Sequence, residues 1–164
     1  TGLLNRRAFQ DVLAARLSRK NDGRSGALTY VDLDNFKQVN DVRGHQTGDK
    51  ALIHLSNILK AQAKPGDLVA RLGGDEFALW LESTDRGQAE SRAEAILEAG
   101  KALTVYSGSA EKPVGLSLGL ALRTPGSPEA LESLILRADK VMYEVKHGGK
   151  GWYRIDVEED QLKS

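Results

Sequence analysis

The sequence predicts an α/β (α+β) domain: a ferredoxin-like βαβ-type central sheet with surrounding helices and one β-hairpin. Three observations predict it. Helical and strand patterns alternate in the order α-β-α-β-β-α-β-α-β. Two adjacent strand patterns are joined by a glycine turn in "DLVARLGGDEFALWLE". One helix near the C-terminus carries an unbroken apolar face over about four turns, enough to cover a sheet.

Each element has its local reason. Asn5 can cap a helix beginning near Arg6, in which Phe9, Val12, Leu13 and Leu17 recur at helical spacing. "NDGRSG" reads as a turn. "ALTYVDLD", 27–34, is β-rich and apolar until two aspartates end it. "GHQTGD" reads as a loop leading into a helix over 47–63, with Leu52, Leu55, Ile58 and Leu59 as its stripe. Pro65 and Gly66 break that helix. "DLVARL" and "EFALWLE" are strands, with Gly73-Gly74 turning the chain between them. A polar, Ala-rich helix follows over 86–103, then the strand "VGLSLGLALR" over 114–123. Leu131, Leu134, Ile135, Ala138, Val141, Met142 and Val145 mark the strongest helix, which Gly148-Gly149 ends. "GWYRI" is a last short strand, and the charged "VEEDQLKS" frays.

The 164 residues amount to one domain, with no repeat, linker or low-complexity segment. Lys plus Arg equals Asp plus Glu, 23 against 23, which argues against a general nucleic-acid or anionic-membrane binder. With no cysteine, thiolate catalysis, disulfides and Cys-ligated zinc are excluded. No run approaches the ~18 apolar residues of a membrane span. The chain opens inside a motif-like segment, so it reads as a module of a longer protein.

Chemistry gathers at a few positions. Asp32 and Asp34 are two apart on a strand and share a face. They lie at its C-terminal end, where ligand sites collect in α/β sheets. Two such carboxylates repel unless a cation intervenes; these residues alone leave a metal site and a hydrated strand end equally open. Asp75 and Glu76 form a second acidic pair at the hairpin turn, whose tip can approach Asp32 if the hairpin pairs beside that strand. Carboxylates plus a backbone carbonyl suit Mg²⁺ or Mn²⁺ rather than zinc, and Gly73 and Gly74 allow a phosphate to come close to the backbone. Lys146 and Lys150 close the strongest helix, where they either compensate its dipole or grip phosphates. Asp49 could satisfy a helix start or pair with the two adjacent N–H donors of guanine, with Asn40 beside it. His45, His54 and His147 do not cluster and read as surface or packing residues.

"GGDEF" at 73–77 is the name-giving motif of the GGDEF family, the diguanylate cyclases, which this chain resembles. "TGLLNRRAF", "VDLDNFKQVND", "GHQTGDKAL", "DLVARLGGDEF", "LSLGLAL" and "RADKVMYEVKHGGKG" resemble the family's other signatures, in family order, from Thr1 to about Tyr153. The resemblance implies a GGDEF domain over 1–155 with a charged tail over 156–164, similar in fold to nucleotide cyclase and polymerase palm domains. It implies that two GTP condense into cyclic di-GMP in a homodimer of such domains, in the cytoplasm, under an N-terminal sensory domain that this chain lacks. By position, Asp32, the Leu33 carbonyl and Asp75 would hold Mg²⁺ or Mn²⁺. Asp75, Glu76 and Lys37 would serve catalysis, Asp75 as the base for the 3′-hydroxyl. Asn40 and Asp49 would read guanine. Phe36, Lys37, Gly73 and Gly74 would line the phosphates, which Lys146 and Lys150 would grip.

One departure concerns the family's Arg-x-x-Asp product site. Here it is "KPGD": Asp67 is kept, but Lys64 replaces the arginine and cannot offer its planar fork. Weak or absent product inhibition is expected. Two other readings compete with an active cyclase. One is a catalytically inactive GTP- or cyclic di-GMP-binding regulatory module; the other is a cyclase making an adenine-containing dinucleotide, against which Asp49 argues.

Overall fold

The computed structural model describes residues 2–19 and 25–157. The turn expected around 21–26 lies largely outside these residues, as does most of the charged tail. The elements are α1 (Arg6–Leu17), β1 (Gly26–Asp34), α2 (Phe36–Arg43), α3 (His45–Gln62), β2 (Leu68–Gly73), β3 (Glu76–Glu82), α4 (Arg86–Gly100), a 3₁₀ stretch (Lys101–Tyr106), β4 (Gly115–Arg123), α5 (Leu131–His147) and β5 (Tyr153–Asp156). The strands form one sheet in the order β2-β3-β1-β4-β5. The first four are antiparallel to their neighbours, and β5 adds to the edge parallel to β4. The segment from β1 to β4 is the expected ferredoxin-like unit; α1, α5 and β5 extend it. Among the described residues no helix is long and apolar enough to cross a membrane.

Strand alternation sorts the core into two layers. Ala27, Val31 and Leu33 of β1 pack with Leu52, Leu55 and Leu59 of α3 and Ile96 of α4. Leu28, on the opposite face, packs with Trp80, with Phe9 and Leu13 of α1, and with Leu134 and Ala138 of α5. Asp32 and Asp34 share the parity of Leu28, so they face α1 and α5. Helix α5 lies very close to β4: a Cβ on Gly119 would stand 2.7 Å from the Met142 backbone nitrogen. That approach brings the end of α5, with Lys146, to the end of β1.

Helix α2, "FKQVNDVR", has no counterpart in the sequence reading; it buries only Val39, too little for an apolar period to announce it. Two expectations need correction. "GHQTGD" is not a loop. Gly44, at φ 91°, bends the chain between α2 and α3, and α3 starts at His45. The helix placed over 86–103 ends as an α-helix at Gly100 and tightens to 3₁₀. Elsewhere the boundaries move by one or two residues. Asn5 caps α1 as expected, its Oδ1 accepting from the Ala8 amide at 2.8 Å.

The chain entering α1 is tied to the hairpin. The Leu4 amide donates to the Val69 carbonyl at 3.1 Å, and the Arg71 amide donates to the Leu4 carbonyl at 3.0 Å. In the hairpin, Gly73 pairs with Glu76, so the two-residue turn is Gly74–Asp75 rather than Gly73–Gly74. Gly73 at φ 146° and Gly74 at φ 50° adopt backbone that side chains disfavour. Glu76 is therefore a strand residue, and β3 pairs with β1 so that Glu76 stands opposite Asp32.

Candidate active site

The two aspartates of β1 have different surroundings. Asp34 is 3% exposed. Its Oδ1 accepts from Ser117 Oγ at 2.6 Å and from Lys146 Nζ at 2.7 Å, and its Oδ2 accepts from the Gly151 amide at 3.0 Å. Asp32 is more open, and its Oδ2 lies 3.4 Å from the same Lys146 Nζ. Lys146 is thus the cation that relieves their repulsion. It is an inward-facing ion-pair partner rather than a solvated last-turn lysine.

Asp75 reaches the same place from the hairpin. The Leu33 amide donates to the Asp75 carbonyl at 3.4 Å, tying the turn to the end of β1. Arg71 braces the turn, with Nε and Nη2 donating to the Gly74 carbonyl at 3.2 and 2.8 Å. Burial, opposed by Lys146 and reinforced by the Asp75 carboxyl, pushes the Asp32 carboxyl up from the ordinary 3.8 to about 7. Asp32 Oδ1 is buried with no hydrogen-bond partner. An orphaned oxygen beside a second carboxyl is short of positive charge, and its all-oxygen character fits a hard divalent cation. Among the described residues no three metal-binding side chains gather. A cation here would complete its shell with backbone, water or phosphate oxygens.

Glu76 lines a cavity of about 280 Å³ with Arg6, Tyr30, Asp32 and Asp139. Arg6 lies 3.7 Å from Glu76. Burial first, then the Asp139 charge, pushes the Tyr30 phenol up to about 12. A second cavity, about 420 Å³, is lined by Asp34, Asn35, Gly149 and Lys150 on the other side of the strand end. Lys150 is not in α5, contrary to the sequence reading; it sits beyond the helix at φ 62°, its amide donating to the Val145 carbonyl at 3.1 Å.

Phe36, Lys37 and Asn40 project from α2, and Asp49 from the second turn of α3, past the helix start where the sequence placed it. Gly48 brings them together: a Cβ there would lie 1.9 Å from Asn40 Oδ1 and 3.4 Å from the Phe36 ring. The Asn40 amide therefore rests on the residue preceding Asp49. Lys64 and Asp67 do not form an open site. Asp67 is spent on the Arg92 guanidinium at 2.5 Å and on the backbone amides of Lys64 and Glu82, both at 2.9 Å. Sequence reasoning missed Arg6, Gly48, Arg71, Arg92, Ser117 and Gly151. Only Arg71, two residues before the glycine pair, carried a local hint.

The family description "Diguanylate cyclase, GGDEF domain" matches residues 1–151. The chain is 36% identical over 155 residues to the bifunctional diguanylate cyclase/cyclic di-GMP phosphodiesterase MucR of Pseudomonas aeruginosa, covering 93% of this chain and 22% of MucR. It is 34% identical over 157 residues to the diguanylate cyclase TpbB of the same species, covering 94% of this chain and 36% of TpbB. The crystal structure of the coiled coil and GGDEF domain of DgcB from Caulobacter crescentus, in complex with c-di-GMP, superposes with a TM-score of 0.84 at 30% identity. That superposition covers 95% of this chain and 83% of that one. The chain belongs to the GGDEF family. It spans well under half the length of MucR and TpbB.

The raised Asp32 carboxyl has a consequence for stability. Below about pH 4 Asp32 is protonated in both folded and unfolded chains; between there and about pH 7 the folded chain holds the extra proton, so stability falls as pH rises through that window. Metal-free Asp32→Asn protein is expected to melt a few degrees above the parent near pH 8, with the gap closing toward about pH 4. Thermal unfolding across pH measures it; an unchanged gap contradicts the assignment.

Proposed function

We propose that this domain is a diguanylate cyclase: two GTP molecules, one on each of two facing domains, are joined into cyclic di-GMP and two pyrophosphates leave. The observation that supports it most is the gathering of Asp32, Asp75 and the Lys146 ammonium at one end of β1, beside backbone that a phosphate can approach. The name of TpbB and the ligand in the DgcB structure point the same way.

The chemistry distributes over this chain's residues. Asn40 accepts from and donates to the guanine edge, and the Asp49 carboxylate accepts from its two adjacent N–H donors. Lys146 and Lys150 hold the phosphates, with Lys37 facing the charge that builds up in the transition state. Asp32, the Leu33 carbonyl and Asp75 hold Mg²⁺ or Mn²⁺, which when bound neutralises phosphate charge and eases formation of the attacking alkoxide. The 3′-hydroxyl of one nucleotide attacks the α-phosphorus of the other, its proton passing to Asp75. The bond to the β-phosphate bridging oxygen breaks, and pyrophosphate leaves with the electron pair. The second copy repeats the step in the other direction and closes the ring. A GTP substrate fits a cytoplasmic domain governed by an N-terminal sensory domain.

A binding-only module is the competing reading. Asp67, already committed to Arg92, argues against a cyclic di-GMP sensor at that site.

Incubation with GTP and Mg²⁺ is expected to yield cyclic di-GMP, with specific activity rising steeply with protein concentration because two domains must meet. Asp75→Ala is expected to lower the rate by about 10²-fold or more. A folded sample that makes no product at high concentration overturns the enzyme reading. Gly48→Ala is expected to fold while displacing Asn40, weakening binding of a non-hydrolysable GTP analogue about tenfold. Unchanged affinity removes Asn40 from the guanine site. Calorimetry with cyclic di-GMP is expected to show weak binding at Lys64; tight binding that Lys64→Ala abolishes refutes this.

A further inference from the structure

We propose that Asp34 is a positioning residue for the phosphate-binding cations. It holds the Lys146 ammonium back from Asp32 and pins the loop that carries Lys150. The proposal rests on the phosphate-gripping role given to those lysines above.

Asp34 is the last residue of β1 and nearly fully buried. A buried carboxylate is costly unless well bonded, and this one takes donors from three separate places. Ser117 comes from β4, Lys146 from α5, and Gly151 from the loop between α5 and β5. The Gly151 amide also lies 3.1 Å from Ser117 Oγ, closing the cluster. Gly149 and Gly151 take positive φ at little cost, but Lys150 between them, at φ 62°, holds a conformation that side chains disfavour. The bonds from Gly151 to Asp34 and Ser117, and from the Lys150 amide to the Val145 carbonyl, fasten the loop.

The distances rank the two carboxylates. Lys146 Nζ is 2.7 Å from Asp34 and 3.4 Å from Asp32. Asp32 keeps one buried oxygen without a partner. Were Asp34 neutral, Asp32 would be the nearest anion to Lys146, and the ammonium would settle there. It would then neutralise the carboxylate assigned to the cation and leave its place against the phosphates. Asp34 therefore acts through Lys146 and Gly151, the groups its carboxylate oxygens bond.

The first test uses the ligand-free protein and does not depend on catalysis. In Asp34→Asn, NMR is expected to show the Lys146 ammonium signal displaced as the group moves onto Asp32, and at least about tenfold faster exchange of the Gly151 amide. Unchanged signals overturn the proposal. Ser117→Ala removes one donor and keeps the charge pair; if the asparagine variant does not fold, Ser117→Ala is expected to speed Gly151 amide exchange while leaving the Lys146 ammonium signal in place, and unchanged exchange overturns the proposal. The second test is a cycle on the affinity of a non-hydrolysable GTP analogue with Mg²⁺. Asp34→Asn is expected to weaken binding about as much as Lys146→Met, and the double variant no further. Additive losses assign Asp34 to general stability and overturn the positioning role. If the parent binds no guanine nucleotide, the functional reading falls, while the exchange data still decide the positioning of Lys146 and the loop.

Discussion

The site depends on the register of β1 between its two antiparallel partners. Asp32 stands opposite Glu76 on one side and Ser117 on the other, and Asp34 ends the strand opposite Gly115. A slip of one residue would send both aspartates into the apolar layer formed by α3 and α4. There they would meet Leu52, Leu55 and Ile96 instead of Lys146. The alternation at the end of β1 makes that slip costly, because it would also bring Val31 and Leu33 to the places beside Lys146 that Asp32 and Asp34 now hold. Ordinary core burial thus fixes the position of the carboxylates.

Given that register, the charges settle in a definite order. Asp34 is fully engaged, with one cationic and two neutral donors. Asp32 is only half compensated, and Asp75 comes close enough to disturb it further. The imbalance lies on the strand end that both the hairpin turn and the end of α5 reach. A structure that served stability alone would have paired Asp32 completely or replaced it with an apolar residue. The uncompensated charge has a cost in the metal-free protein, and it is the feature that most supports the proposed cation-dependent phosphate site.

Glycines set the other close approaches, each for its own reason. Gly119 lets the backbone of α5 reach β4 and so brings Lys146 to the strand end. Gly48 makes room for the Asn40 side chain. Gly73 and Gly74 take backbone angles that set Asp75 at the apex of the turn. The extended residues before α1 hydrogen-bond to β2, and Arg6 reaches Glu76. The point where the chain enters the domain is therefore in mechanical contact with the hairpin.

The sequence by itself determined the type of most elements, the apolar stripes of α3 and α5, the hairpin and the family. Periodicity and turn chemistry are local, and the signature blocks of a GGDEF domain are contiguous strings such as "RLGGDEF" and "VDLDNFKQVND". It could not announce α2, whose only buried side chain is Val39, nor the helical start of α3 behind Gly44. It read Lys146 and Lys150 as neighbours on one helix end, although Lys150 lies beyond the helix and only Lys146 turns inward. It left Asp32 and Asp34 as a symmetric pair. Their difference comes from Ser117, Lys146 and Gly151, which lie 83 to 117 positions away in the chain. Asp67 likewise kept its motif position, yet Arg92, 25 residues on, took its charge. Tertiary structure decided these matters because burial and charge compensation depend on which distant groups share a few ångströms.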